Sequence, residues 1–580
     1  MKMHLNKNDL PIVAFFISAV GLAGGCTKQL EQNTQTVITD PVFWKNESDL
    51  IGGTNYLYAS LPNFDTPLED LYSDFSADVF GGSLNTISDG SRTVPSSDGT
   101  WNNAYTYIRA ANNVMEKSAG IPDGAMKTYC IAQARFFRAL SYYRLVRAYG
   151  DVPYIGRTIT GRDDETLYTP RTDRRAVIDS IYADLDFAAA NCPQADELPG
   201  NSSASGTSGK EYGRITRSAA LAFKSRVALN EGSWHKFHGE PELKGAKDPA
   251  KHFTIARDAA LTVMNENKHS LYTAAGALSF QDLFRYPGEG YTNNKENILV
   301  RLYGKDITNN ISNNGGYMRP YLTDGRNAAT RAFVLTALYS DGLPAGKSPL
   351  DSNGKETGLL TDYQNRDPRL VQTLFKVGDP YASISGGNPV YRNTYYYHQQ
   401  KYWTGQADFL NSPNLFLDFI AIRYAEVLLN YAEAVYELSD NISDADLDKS
   451  INLLRKRATN NDNSKLPLLT NAFVTANGLN MREEIRRERS VELAYEGFRY
   501  WDLIRWKTAE TELLKPILER KYFEGLDYGG STKPTMLNGY VLMQAADKRK
   551  FDVQKDYLWP LPSGQIGLSK GTITQNPNWK

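Results

Sequence analysis

Glu488 and Glu492 stand one helical turn apart in Arg482-Glu-Glu-Ile-Arg-Arg-Glu-Arg489-Ser-Val-Glu-Leu-Ala-Tyr-Glu496. Two carboxylates at that spacing can share a site for general acid and base work. A general acid must keep its proton, and the arginines crowded around this pair hold carboxylates ionised. The stretch therefore reads as an ion-paired packing helix, with Ile485, Glu488, Glu492, Tyr495 and Arg499 recurring at helical steps. His235 and His238 could reach one ion, but a metal site needs a third ligand, and the sequence identifies none. Asp351-Ser-Asn-Gly-Lys-Glu356 begins like a calcium loop, yet its glycine falls too early. The chain carries no HExxH and no phosphate-cradling glycine loop. No catalytic residue, metal or cofactor is expected.

Flat aromatic rings offer a different chemistry. Among 580 residues, Tyr (36) outnumbers Phe (23), beside 8 Trp. Core packing alone favours Phe, because a buried Tyr hydroxyl needs a partner, so part of the Tyr excess is expected on wet surface. Tyr291, Tyr317, Tyr321 and Trp403 come from an aromatic, Asn-rich region, with Asn314 and Arg319 as polar partners. Sugar rings suit such a surface: their C–H faces stack on aromatic plates and their hydroxyls meet Asn, Asp and Arg. A formal net charge of -1, from 65 Lys+Arg and 66 Asp+Glu, gives no overall field to draw nucleic acid.

Cys26 follows the apolar run Pro11 to Gly25, which Lys2 and Lys7 precede and small residues close. That is the layout of a secretory signal whose cleavage leaves a cysteine at the mature N-terminus, where bacteria attach lipid. The run falls short of the roughly 20 residues that a membrane crossing takes. The expectation is a signal peptide at residues 1–25 and a polar, lipidated tether at residues 26–36. Acyl chains would anchor the protein at about 0.8 kcal/mol per buried CH₂. Of the three cysteines, Cys130 and Cys192 then remain, and are expected as buried thiols, although they could pair in an oxidising compartment.

The elements that must position these residues are mostly helices. The spacing of apolar residues predicts helices over 101–117, 125–149, 174–191, 216–231 and 253–266. Alanines beside large aromatic residues let these helices approach in antiparallel pairs, as in helical-repeat arrays. Residues 193–213 read as a Ser/Gly/Asn-rich loop, and periodicity fades again from about 280 to 414. Helices are predicted to return at 420–438, 444–457 and 481–506.

Glu496-Gly-Phe-Arg499 and Asp502-Leu-Ile-Arg-Trp506 resemble the C-terminal signature of the SusD/RagB family of outer-membrane lipoproteins. Arg423-Tyr-Ala-Glu-Val-Leu-Leu-Asn-Tyr-Ala-Glu-Ala434 is similar to its central helix, and Tyr557-Leu-Trp-Pro-Leu-Pro562 through Trp579 to its ending. Residues 101–113 and 132–150 resemble its N-terminal helices. The resemblance implies a mostly α, tetratricopeptide-like helical-repeat scaffold with a large loop-rich, ligand-binding half. Residues 37–240 would be the N-terminal repeat region, and residues 241–580 the loop-rich and C-terminal helical region, packed as one globular unit. It also places Trp101 where relatives often carry a stacking ring, and Asp74 and Asp78 in an early acidic loop.

The implied protein faces the exterior of the outer membrane. There it captures oligosaccharide or polysaccharide without catalysis and delivers it to a SusC-like, TonB-dependent transporter. Two or three ring contacts of about 0.5–1.5 kcal/mol each would support binding only in the range of about 0.1–1 mM. Two alternatives stay open at this point: RagB-like peptide import, and a glycoside hydrolase built on two carboxylates in a cleft.

Overall fold

The computed structural model describes residues 43–78, 85–161, 163–198, 212–240, 243–245, 247–290, 294–304, 327–376, 379, 396–404, 416–525 and 533–580. Cys26, Tyr291, Asn314, Tyr317, Arg319 and Tyr321 lie outside the described residues, as do the signal and tether at residues 1–36. Six helices form the N-terminal half: α1 (Glu47–Leu57), α2 (Gly99–Lys117), α3 (Ala125–Tyr149), α4 (Arg174–Asn191), α5 (Arg217–Phe237) and α6 (Pro249–Asn265). From α2 onward each packs on the next, and α6 packs on α7 (Tyr424–Ser439). This serial stacking makes a helical-repeat array.

Local chemistry sets the ends of these helices. Asn46 and Asp49 form a capping box on α1, Asp98, Asp173 and Asp248 cap α2, α4 and α6, and Thr216 caps α5. Gly150, at φ 73°, ends α3, as its conformational freedom allows. Buried alanines such as Ala132, Ala139, Ala219, Ala222 and Ala256 admit the aromatic neighbours, with the Phe136 and Phe223 rings 5.5 Å apart. One continuous apolar core runs from Leu50 in α1 to Ile573 near the C-terminus, so the two halves share it. Cys130 and Cys192 are free, buried thiols. No helix among the described residues is long and apolar enough to cross a membrane.

The second half holds short sheets and helices. β1 (Ser76–Ala77) pairs with β3 (Ala328–Ala329), β2 (Asn297–Arg301) with β4 (Phe419–Arg423), and β7 (Tyr540–Gln544) lies between β5 (Ile517–Lys521) and β6 (Met536–Leu537), all antiparallel. The helix expected over 420–438 is thus corrected at its start. Its first residues are strand β4, buried throughout, and α7 begins only at Tyr424. The helix expected over 444–457 breaks at Ser450, whose φ of -133° and ψ of -97° are not helical, leaving Asp444–Asp448 and α8 (Ile451–Thr459).

The segment 481–506 is likewise two helices, α9 (Met481–Glu492) and α10 (Arg499–Arg505). Tyr495 (φ 60°) and Gly497 (φ 81°) turn the chain between them. A Cβ on Gly497 would lie 2.6 Å from the Thr66 carbonyl oxygen, so a side chain cannot fit there. The carboxylates of α9 join a buried ion lattice. Glu488 meets Arg369 at 2.6 Å and Arg455 at 3.0 Å. Glu492 meets Arg423 at 2.7 Å and Arg369 at 3.0 Å, and also Arg457. Burial alone would raise the Glu492 pKa, but Arg457, Arg423 and Arg369 together hold it well below the usual carboxylate range.

Candidate functional site

A groove of about 1300 Å³ lies between α1, α2 and the segment 153–169, with Gln565 and Ile573 also in its lining. Ligand pockets commonly hold about 300–1,000 Å³, so this one has room for several linked rings. Its far wall is pinned from below. Asn112 of α2 donates to the carbonyls of Ile155 (2.9 Å) and Arg157 (3.1 Å), and Tyr105 donates to the Pro153 carbonyl at 2.8 Å. Tyr142 of α3 donates to the Ile155 carbonyl and accepts from the Ile155 amide. Arg138 donates to the Asn112 side-chain oxygen at 2.9 Å and is itself held by Asp184 through two 2.7 Å bonds.

Aromatic rings line the near wall. Tyr56 of α1 is 54 % exposed, and its ring lies 5.7 Å from that of Tyr107 on α2. Trp44 is half-buried against α1, seated on Gly53, where an added Cβ would overlap the indole. Two successive glycines inside a helix lower its stability by about 1 kcal/mol each, and here they make the seat. Polar side chains complete the lining: Asn102, Arg109, Asn113, Arg157, Thr158 and Thr160. The described lining residues include no Asp or Glu.

Trp101 lines this groove but is only 4 % exposed, wedged against Tyr105 (5.0 Å) and Tyr149 (5.2 Å). At that burial it offers the groove little open ring surface. Asp74 and Trp403 are corrected as surface groups. The Asp74 carboxylate accepts from Arg499 at 2.8 and 2.9 Å and is buried, since the turn at Gly497 brings Arg499 onto it. Trp403 is packed in a second apolar cluster, edge-on to Phe375 at 5.7 Å. Asp78 is half-buried at the edge of the described residues. The structure therefore brings Trp101 to the groove and gathers none of the other described candidates there.

The groups with catalytic or metal-binding potential are engaged elsewhere. His238 stacks on Trp234 at 4.0 Å, and burial pulls its pKa down to about 3. Asp351 accepts from the Tyr339 hydroxyl and the Gly346 amide, while Glu356 is held by Arg331 and Tyr540. No cluster of three or more His, Cys, Asp or Glu suited to a metal occurs among the described residues. A smaller cavity of about 80 Å³ lies between α3, α5 and the turn at Gly497. There Arg147 pairs with Glu69 at 3.3 Å and Arg226 with Glu426 at 2.5 Å, so the cavity is a water-sized gap in an ion-paired interior.

Tyr56, Tyr107, Trp44 and Arg109 were not singled out from sequence. The adjacent glycines Gly52 and Gly53 in a short helix were the one available signal of close approach.

Comparison with known proteins agrees with this architecture. A family profile described as "SusD family" matches residues 289–579, and one described as "Starch-binding associating with outer membrane" matches residues 68–229. The chain is 26 % identical over 597 residues to "SusD-like protein P2" of Formosa agariphila, covering 99 % of this chain and 100 % of the relative. A SusD-like carbohydrate-binding protein from Bacteroides fragilis superposes with a TM-score of 0.71 at 24 % identity, over 91 % of this chain and 99 % of that one. A structure described as being with xylogluco-oligosaccharide superposes with a TM-score of 0.60 at 19 % identity, over 90 % and 97 % of the two chains. On these grounds the chain belongs to the SusD family.

Proposed function

We propose that this protein is a non-enzymatic glycan-binding lipoprotein on the outer face of the outer membrane, delivering oligosaccharide to a SusC-like, TonB-dependent transporter. The observation that carries the reading is the groove: Tyr56 and Trp44 supply apolar ring faces, and Asn102, Asn113 and Thr160 supply hydroxyl partners. Its described lining residues include no carboxylate to serve as the acid and nucleophile of a glycosidase. Solved proteins of the same fold, described as carbohydrate-binding or as carrying an oligosaccharide, support the same reading. Lipid on Cys26 would hold the protein at the membrane, and tethering beside a transporter makes weak capture sufficient.

Affinity electrophoresis against a polysaccharide panel tests it. Retardation by at least one glycan is expected, reduced by Tyr56→Ala and by Asn113→Ala and kept by a surface variant away from the groove, Val553→Ala. Retardation by none, with reducing sugar released instead, would replace capture by hydrolysis.

A further inference from the structure

One cation that lines the groove stands without an anionic partner. Arg109 is exposed on α2 and has no hydrogen bond or ion pair among the described residues. Arg157, half exposed, makes two 2.7 Å bonds to Asp164. Asp164 also accepts from the Thr160 and Thr166 amides, so both of its oxygens are engaged. Arg171 lies near Tyr105 of the lining and donates only to neutral acceptors: the carbonyls of Tyr149, Asp151 and Thr574, and the Asn576 side chain. Glu116, at the C-terminal end of α2, accepts from the Thr158 amide at 2.7 Å. Among the described lining residues, Arg109 is thus the cation without an anionic partner, while Asp164 and Glu116 are each held by hydrogen bonds at the edge of the wall.

Carboxylates are strong acceptors for sugar hydroxyls, and a neutral glycan has only hydroxyls to offer. A groove whose described lining has no Asp or Glu forgoes those bonds, and what it gains is freedom from repelling a charged ligand. We propose that the groove takes a glycan bearing fixed negative charge, as uronate carboxylate or sulfate ester, with Arg109 as the principal charge partner. The planar guanidinium fork matches both groups, and Tyr56 stacks the adjoining ring. This rests on the reading of the groove as the glycan site.

The test is isothermal titration of the full chain in detergent with three probes: alginate oligosaccharides (uronate), carrageenan oligosaccharides (sulfate) and xylogluco-oligosaccharides (neutral). Each is run at about 50 mM and 300 mM salt, because exposed charge pairs are screened within roughly 10 Å at 0.1 M. One anionic probe is expected to bind, to weaken by about tenfold or more in Arg109→Gln, and to weaken with salt. Which probe binds assigns carboxylate or sulfate. Neutral oligosaccharide bound as tightly as either anionic one, or an anionic affinity untouched by Arg109→Gln, overturns the inference and leaves glycan capture standing. Binding of no probe, or polyglutamate bound as well as the sugars, removes the glycan reading itself.

Discussion

Asn112 ties α2 to Ile155 through one amide group: its nitrogen donates to the Ile155 carbonyl at 2.9 Å while its oxygen accepts from Arg138. A chain of polar contacts therefore runs from Asp184 in α4, through Arg138 in α3, to the groove wall. Asn112→Ala leaves two carbonyls and one guanidinium nitrogen without this partner. Each buried group left unsatisfied costs about 1–3 kcal/mol. Urea denaturation should show a loss of at least about 2 kcal/mol, and amide exchange should accelerate at residues 153–157 with little change in α5 and α6.

Glu492 neutralises three arginines in the lattice beneath α9. Removing one partner of a buried ion network destabilises by about 3–5 kcal/mol. Glu492→Ala should lower the denaturation midpoint steeply, and Glu483→Ala, exposed on the same helix, should leave it nearly unchanged.

Three buried histidines draw stability away from the fold as pH falls below about 6.5. Burial lowers His238 to about 3 and His252 and His269 to about 4, so below the ordinary 6.5 the unfolded chain takes up protons that the fold refuses. Asp70 works in the opposite sense. Burial raises it to about 7, so the fold keeps a proton that the unfolded chain releases, and this contribution is lost as pH rises through 7. Burial raises Asp418 and Glu519 well above the usual carboxylate range as well, so these carboxyls together offset the histidines. Asp70→Asn removes one of the opposing carboxyls and should shift the slope of stability between about pH 5 and pH 7 toward loss on acidification by about one proton's worth, or about 1.4 kcal/mol per pH unit. A slope unchanged in that variant would contradict the assignment.

Gly53 admits the Trp44 ring. Gly53→Val should displace the indole, seen as a red shift and quenching in tryptophan fluorescence, while the gain in helix propensity limits the loss of stability. A spectrum unchanged from the parent would mean that Trp44 does not occupy this seat in solution.

Much of the helical array was legible because local signals coincide with tertiary ones. Helices α3 and α4 keep their expected bounds, since Gly150 stops the first and Asp173 and Cys192 bracket the second. The arginines around Glu488 and Glu492 likewise announced an ion-paired interior. The break between α9 and α10 was hidden, because Tyr495 occupies a left-handed conformation that its residue type does not advertise. Phe419–Arg423 could be told from a helix only by its partner β2, more than a hundred residues away. Exposure was the least legible property. Trp101 and Trp403 are rings of the same kind as Trp44 and Tyr56, and what covers them comes from distant parts of the chain.

Trp44 and Phe43 sit at the lip of the groove and are also where the described chain begins. An extended leash from Cys26 to Phe43 spans at most about 60 Å, at roughly 3.3–3.6 Å per residue. Lipid on Cys26, as proposed, would keep the mouth of the trench within that distance of the bilayer surface. A passing polymer would be met by an opening moored at its own edge.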